Sequence, residues 1–249
     1  MTAAAAVRPR LLRARPVLTT LALFALFAVC ALVFLQPVWR QQRQVSLDRA
    51  LFQVAWEQGD ASRARQLLDA GANPNRTAEV PVPEARSWYW RLRNRLLPSQ
   101  RRRLAELQHE YRSTPLAEAT DAGNRELVRL LLDRRADIEM PSAYQHDRTP
   151  LIIAASRKDL DMVGLLLSRG ANVNATDRSG RSALFRSVAH ADLDLALVRT
   201  LIEHGAEVNC RDHIGLTALA LVANGQHPNL PDERRSALVA FLKRRGAAR

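Results

Sequence analysis

The sequence predicts an all-α protein, a solenoid of helix-turn-helix repeats with short hairpin loops, preceded by one transmembrane helix. Three observations lead to this fold class. A turn-then-helix signature recurs at intervals of 33 to 35 residues, and a second signature closes each repeat. A run of 19 uncharged residues also stands near the N-terminus. Sequence self-similarity at this period is typical of solenoids, in which each repeat buries its apolar side against its neighbours.

The amino-acid composition also favours a folded, mainly helical protein. Of the 249 residues, 47% are hydrophobic and 25% charged, a balance that favours a folded chain over a disordered one. Only 5% are aromatic, so we expect a core of Leu, Ala and Val, which suits stacked short helices. The two cysteines, Cys30 and Cys210, lie far apart in the sequence and provide neither a disulfide framework nor a zinc site.

The formal charge of +12 would suit a nucleic-acid surface. Nearly all of the positive charge comes from arginines that are spread along the chain, and the only lysines are Lys158 and Lys243. This skew indicates background composition rather than phosphate binding. We expect no nucleic-acid partner.

The uncharged run covers residues 17–35. At a rise of 1.5 Å per residue, a helix of this length just spans a bilayer core of roughly 30 Å. The run is too long for a cleaved signal peptide, and its end at Phe34-Leu35-Gln36-Pro37 is a poor cleavage site. A lipoprotein signal ending at Cys30 fits only weakly. We therefore predict an uncleaved transmembrane helix over 17–36, with the lipid bilayer as its partner.

Charge on the two flanks indicates the orientation. Four arginines precede the apolar run and three follow it within reach: Arg8, Arg10, Arg13 and Arg15, then Arg40, Arg43 and Arg49. The positive-inside rule favours a cytoplasmic N-terminal tail over 1–16, with the C-terminal part across the membrane. In a bacterial inner membrane that part would be periplasmic.

The first repeat signature predicts the start of a helix. A Thr or Ser caps the helix. A Pro is tolerated in the first turn, because the helix does not hydrogen-bond the N–H groups there and Pro has none. The following Leu and Ala face inward at helical spacing. Four segments carry this signature: Thr114-Pro115-Leu116-Ala117-Glu118-Ala119, Thr149-Pro150-Leu151-Ile152-Ile153-Ala154, Ser182-Ala183-Leu184-Phe185-Arg186-Ser187 and Thr217-Ala218-Leu219-Ala220-Leu221-Val222.

The second signature predicts the end of a second helix. Leu130–Leu132 and Leu165–Leu167 provide its buried stripe. Gly170 and Gly205 then follow, and glycine accepts the left-handed conformation that ends a helix. Turns of the form Asp-x-x-Gly lead to the next cap.

The motif T-P-L-x-x-A followed by L-L-x-x-G-A-x-V-N resembles the ankyrin repeat family. Four copies stand in register, and a weaker fifth begins at Ala50-Leu51-Phe52 and ends at Gly71-Ala72-Asn73. Arg135 departs from the pattern, because the family prefers Gly there. The resemblance implies a linker over 37–47 and repeats over 48–75, 114–148, 149–181, 182–216 and 217–249, the last acting as a C-terminal cap.

An insertion over 76–113 separates the first two repeats. Gly71 and Thr114 are 43 residues apart, against 12 for Gly170 and Ser182. The insertion interleaves Trp88, Tyr89 and Trp90 with arginines. It is a helical hairpin packed on the stack, a protein-binding site, or a device that contacts lipid headgroups. The last interpretation makes membrane-interface candidates of Trp39, Trp88, Tyr89 and Trp90.

Motifs for catalysis are missing from the sequence. The six histidines follow no metal-binding spacing, and no G-x-S-x-G, Walker or dinucleotide pattern occurs. We therefore expect no catalytic, metal or cofactor site and no enzyme activity.

The resemblance implies binding by the concave face, which hairpin tips and the exposed side of each first helix form. Arginines on adjoining tips favour an acidic protein partner, although they also fit merely solvated positions in an Arg-rich chain. The predicted function is a membrane-anchored scaffold that localises or regulates a protein partner. The alternative is a membrane-surface structural protein whose insertion contacts lipid. The protein-binding candidates are Tyr144, His146, Arg148, Arg178, Arg181, Arg186, Arg211 and His213.

Overall fold

The computed structural model describes residues 15–57, 59–79, 112–189, 194–223 and 232–246, and for residues 15–35 it describes the backbone alone. The chain divides into two compact units, Met1–Ser46 and Leu47–Arg249. The first helix, α1, runs from Arg15 to Trp56 and contains Pro37.

Over the residues that the structure describes, we find no helix that combines the length and the apolar character needed to cross a bilayer. The predicted span, 17–36, lies on α1, and the side chains of residues 15–35 are outside the described part of the chain.

The described part of the second unit is built mainly from short helices in pairs. The C-terminal residues of α1 contribute to the same apolar core as α2, and each later pair forms one repeat. The helices are α2 (Ala61–Asp69), α3 (Pro115–Asp121), α4 (Arg125–Asp133), α5 (Pro150–Ser156), α6 (Leu160–Ser168), α7 (Ala183–Val188), α8 (Leu195–Glu203), α9 (Ala218–Ala223) and α10 (Asp232–Arg244).

The predicted helix caps are confirmed. Thr114 Oγ1 accepts from the N–H of Ala117 at 3.1 Å, and Thr217 Oγ1 accepts from that of Ala220 at 3.1 Å. Thr149 and Ser182 cap α5 and α7 in the same way. Each cap provides an acceptor for an N–H that the helix leaves without a partner.

The predicted helix ends are also confirmed. Gly170 and Gly205 both have φ of +87°, the left-handed conformation that follows α6 and α8. Arg135 occupies the corresponding position after α4 and adopts φ of +62° although it has a Cβ.

The first helices stack on one another in the order α3, α5, α7, α9, and second helices stack in the pairs α2–α4 and α6–α8. Leucine fills equivalent positions in each layer: Leu116, Leu151, Leu184 and Leu219 in first helices, and Leu131, Leu166 and Leu201 in second helices, all at most 2% exposed. A fully buried leucine contributes roughly 1.5–3 kcal/mol. The core is rich in Leu, Ala and Val as predicted, so apolar stacking between repeats stabilises the unit.

Polar side chains join each repeat to the next. Asn174 donates from Nδ2 to the carbonyl of Gly205 at 3.2 Å and accepts from the N–H of Glu207 at 2.8 Å. Asn75 makes the same pair of bonds to Arg135 and Asp137. The asparagine that ends the second signature therefore satisfies backbone groups of the following repeat.

One short ladder modifies the predicted all-α class. Strand β1 (Ala78–Glu79) pairs antiparallel with β2 (Arg112–Ser113), with Ala78 opposite Ser113. Single bridges at Ser142–Arg148, Thr176–Ser182 and Arg211–Thr217 occupy the later hairpins. The insertion therefore leaves from the position of a hairpin tip, and residues 80–111 lie outside the described part of the chain.

Candidate functional site

The tips of three successive hairpins form a continuous surface. We call residues 142–148, 176–182 and 211–217 the tip surface. The N–H of Arg178 donates to the carbonyl of His146 at 3.0 Å, and the N–H of His213 donates to that of Ser179 at 3.0 Å. These backbone bonds fix each tip against the next, so the surface is preorganised.

A buried aspartate shapes each of the last two tips. Asp177 Oδ1 accepts from the N–H groups of Ser179 and Arg181 at 2.8 and 3.1 Å. Asp212 Oδ1 accepts from those of Ile214 and Leu216 at 3.1 and 2.9 Å. The Asp-x-x-Gly turns predicted from the sequence are therefore built around the carboxylates themselves.

The second oxygen of Asp177 binds arginines. Arg186 Nε donates to Asp177 Oδ2 at 2.9 Å, and its Nη2 also contacts this oxygen. Arg148 Nε stands 4.0 Å from the same atom. Burial disfavours the ionised form of Asp177, but the hydrogen bonds from Arg186, Arg181 and Ser179 outweigh it, so its pKa lies below the ordinary value.

The other tip arginines are paired as well. Arg181 donates from Nε to Asp212 Oδ2 at 3.1 Å, and its guanidinium stands 5.2 Å from the ring centre of Phe185. Arg178 donates from Nε to Asp147 Oδ2 at 2.8 Å. Arg211 donates to the carbonyl of Gly215 at 2.8 Å. Internal acceptors therefore already engage these positive charges.

The outermost atoms of the tip surface belong to other side chains. Ile214 is 73% exposed, and His146 and His213 are also exposed. The His213 ring packs over Gly180, where a Cβ would lie 2.7 Å from His213 Cδ2. The tip surface thus exposes an isoleucine and two imidazoles on hairpins whose backbones are hydrogen-bonded to one another.

Beside the tips lies a polar face, to which the first helices, the residue that follows α5 and Arg148 of the first tip contribute. We call Glu118, Asp121, Arg148, Ser156, Arg157 and Arg186 the groove face. Asp121 links its members, because Arg157 Nη1 donates to its Oδ1 at 3.2 Å and its charge influences both Glu118 and Arg148.

Two groups of the groove face have shifted pKa values. Burial raises the pKa of Glu118, which is 5% exposed, and the nearby charge of Asp121 adds to this while a bond from Ser113 opposes it. Burial likewise lowers the pKa of Arg148. Both residues therefore carry their charge at a cost to folding.

The structure brings Arg148, Arg181 and Arg186 of the predicted site together around Asp177 and Asp212. The tip surface carries His146, Arg178, Arg211 and His213. The backbone of Tyr144 also belongs to it, and the Tyr144 side chain lies outside the described part of the chain. Trp39 is 68% exposed on α1, whereas Trp88, Tyr89 and Trp90 fall outside the described residues.

Sequence reasoning missed the aspartates as partners of the arginines. The signal was present, since Asp177 and Asp212 each open an Asp-x-x-Gly turn. Across the described ranges, His, Cys, Asp and Glu side chains do not gather in groups of three that could hold a metal ion.

Stacked helix pairs with interlocked hairpin tips and a polar face define a helical-repeat protein. The family model described as ankyrin repeats (3 copies) matches residues 94–177 and 141–212, and this part of the chain consists of ankyrin repeats. A comparison with curated proteins found no match.

Proposed function

We propose that this protein is a membrane-anchored ankyrin repeat scaffold that binds a protein partner and thereby localises or regulates it. Ankyrin repeats generally mediate interactions between proteins, and the chain carries them. The observation that carries the proposal is the tip surface, which exposes Ile214 while backbone bonds between hairpins hold it in place. A preorganised surface loses little conformational entropy on binding, so more of the contact energy appears as affinity.

The ion pairs of the tip arginines bear on the charge of the partner. The sequence favours an acidic partner because of Arg178, Arg181 and the other tip arginines. In the structure, Arg178 pairs with Asp147, and Arg181 pairs with Asp212. A carboxylate on a partner would compete with these internal ones, so the tip surface offers less net attraction for acids than the sequence implied.

The anchor rests on the sequence. The 19 uncharged residues of 17–35 suit a bilayer core, and α1 continues through them as a helix. With the basic tail 1–16 on the cytoplasmic side, the repeats lie on the opposite side, which is the periplasm if the membrane is a bacterial inner membrane.

A binding role is proposed in preference to catalysis because neither the sequence motifs nor the groove face provides a nucleophile held by a base. The alternative role, a structural protein on the membrane surface, depends on an insertion outside the described residues. Among the described residues, exposed Trp39 favours lipid contact.

The binding face is tested by affinity capture of the full chain in mild detergent, with quantitative mass spectrometry. Ile214→Glu places a charge on the exposed tip, and we expect it to reduce recovery of the partner at least tenfold. Arg199→Glu, on the exposed side of α8, is the matched control and should not change recovery. Equal recovery with both variants would contradict the proposed face.

The anchor is tested separately by alkaline extraction of membranes. The full chain should stay in the membrane pellet. A variant with Leu26→Arg and Val29→Arg should move to the supernatant, because charge at the bilayer centre is costly. Protection of the repeats from protease added to spheroplasts would reverse the proposed orientation.

A further inference from the structure

Three buried side-chain atoms on the groove face have no hydrogen-bond partner among the described residues: Glu118 Oε1, Arg148 Nε and Ser156 Oγ. Buried polar atoms in folded proteins are nearly always paired, so these three atoms need an explanation. Glu118 provides an acceptor, Arg148 a donor, and Ser156 a hydroxyl that can act as either.

Equivalent positions in other repeats show that the fold does not require these groups. The position of Glu118 is occupied by buried Ile153 in α5 and buried Leu221 in α9, and by Arg186 in α7. The position of Arg148, immediately before the cap, is occupied by Ser113, Arg181 and Leu216. The stack therefore accepts an apolar residue at both places in at least one repeat, and the charged residues lower stability where they stand.

The charges near these atoms are balanced. Asp121 pairs with Arg157, and Asp212 with Arg181. Asp177 pairs with Arg186 and also with Arg148, whose Nε stands 4.0 Å from Asp177 Oδ2. Glu118 adds a fourth negative charge to these four arginines. A strongly acidic or basic ligand would therefore be repelled by as many charges as attract it. A neutral polar ligand would meet no such repulsion.

We propose that the groove face of the second and third repeats binds an extended, uncharged segment of the protein partner, whose main-chain or carboxamide groups hydrogen-bond to Glu118 and Arg148. An extended chain presents N–H and C=O groups alternately, so one segment supplies both the donor that Glu118 needs and the acceptor that Arg148 needs. This inference rests on the proposed function and specifies the chemistry of the partner.

The test measures binding of the full chain, in mild detergent, to an array of short peptides. One set contains only Ser, Thr, Asn, Gln, Gly and Ala, a second adds Asp and Glu, and a third adds Lys and Arg. We expect the neutral set to give the tightest binders. Preference for the acidic or the basic set would overturn the inference and leave the proposed scaffold role standing.

Variants taken from the chain's own repeats locate the site. Glu118→Leu and Arg148→Leu copy residues that the stack already accepts, and each should weaken binding of the neutral peptides about tenfold through loss of a buried hydrogen bond. Glu118→Gln keeps the acceptor and should bind within about twofold of the parent. Arg199→Leu, on α8, is the control and should bind like the parent.

Thermal unfolding of each variant separates loss of binding from loss of fold. Unchanged peptide affinity in folded Glu118→Leu and Arg148→Leu would overturn the inference, as would the absence of binding to all three sets. In the last case, the capture experiment with Ile214→Glu still decides the scaffold role independently.

Discussion

Arg181 of one hairpin donates from Nε to Oδ2 of Asp212 in the next hairpin at 3.1 Å, across 31 positions of sequence. The Asp212 side chain is 1% exposed and that of Arg181 33%. The same carboxylate closes its own turn through Oδ1. One aspartate therefore holds a hairpin in shape and joins it to its neighbour.

Arg181→Leu should destabilise the protein by about 2 kcal/mol, because it leaves a buried carboxylate with only backbone donors. For a unit of this size the loss corresponds to roughly 4–8 °C in Tm. Thermal unfolding followed by circular dichroism measures it. Adding Asp212→Asn should recover part of the loss, since the unpaired charge is then gone, and a double variant less stable than Arg181→Leu would contradict this pairing.

Gly180→Ala should cost more than Gly170→Ala. Both glycines have positive φ, +74° and +87°, so each alanine bears a left-handed penalty of about 1 kcal/mol. At Gly180 the new Cβ would also lie 2.7 Å from His213 Cδ2, whereas Gly170 has open space. Denaturant unfolding should show the excess, and His213→Ala should reduce it. Equal losses at the two glycines would refute the contact.

Arg135→Gly should stabilise the fold by about 0.5–1 kcal/mol. Arg135 is exposed and has φ of +62°, a conformation that glycine adopts without the Cβ clash. The bond from Asn75 to its carbonyl involves only backbone at this position and persists. Arg134→Gly is the control. It removes an ion pair with Asp69 and should lower stability, and a gain there as well would point to a general effect of glycine.

Glu118→Gln should raise stability by about 1 kcal/mol above neutral pH. Burial raises the pKa of Glu118 above its unfolded value. The stability that its neutral form contributes is present below the unfolded pKa and is lost as pH rises through the folded pKa. The advantage of glutamine should therefore shrink as pH falls towards 4.5, the ordinary value. Chemical denaturation at several pH values measures this trend, and an advantage of glutamine that is the same at every pH would contradict it.

The local elements of the fold were predictable because their causes are local. Thr114 and Ser182 cap helices through atoms three residues away, and Gly170 ends a helix through its own φ. The resemblance to a repeat family then specified how the helix pairs stack.

The sequence predicts where the arginines of the candidate site lie but not which carboxylates pair with them. Arg178, Arg181 and Arg186 lie where the repeat pattern places tips and first helices. Their partners Asp147, Asp212 and Asp177 are 31, 31 and 9 residues distant. These pairings depend on how one hairpin sits over the next, which sequence spacing does not specify. The buried unpartnered oxygen of Glu118 depends on the same stacking.

Photo-crosslinking from the intact chain tests the binding face most directly. A benzophenone amino acid is placed at Ile214 on the tip surface, or at Arg199 on α8, and intact cells that express the chain are irradiated. We expect a discrete crosslinked protein species from position 214 and none from position 199. The same species from both positions, or from position 199 alone, would contradict it.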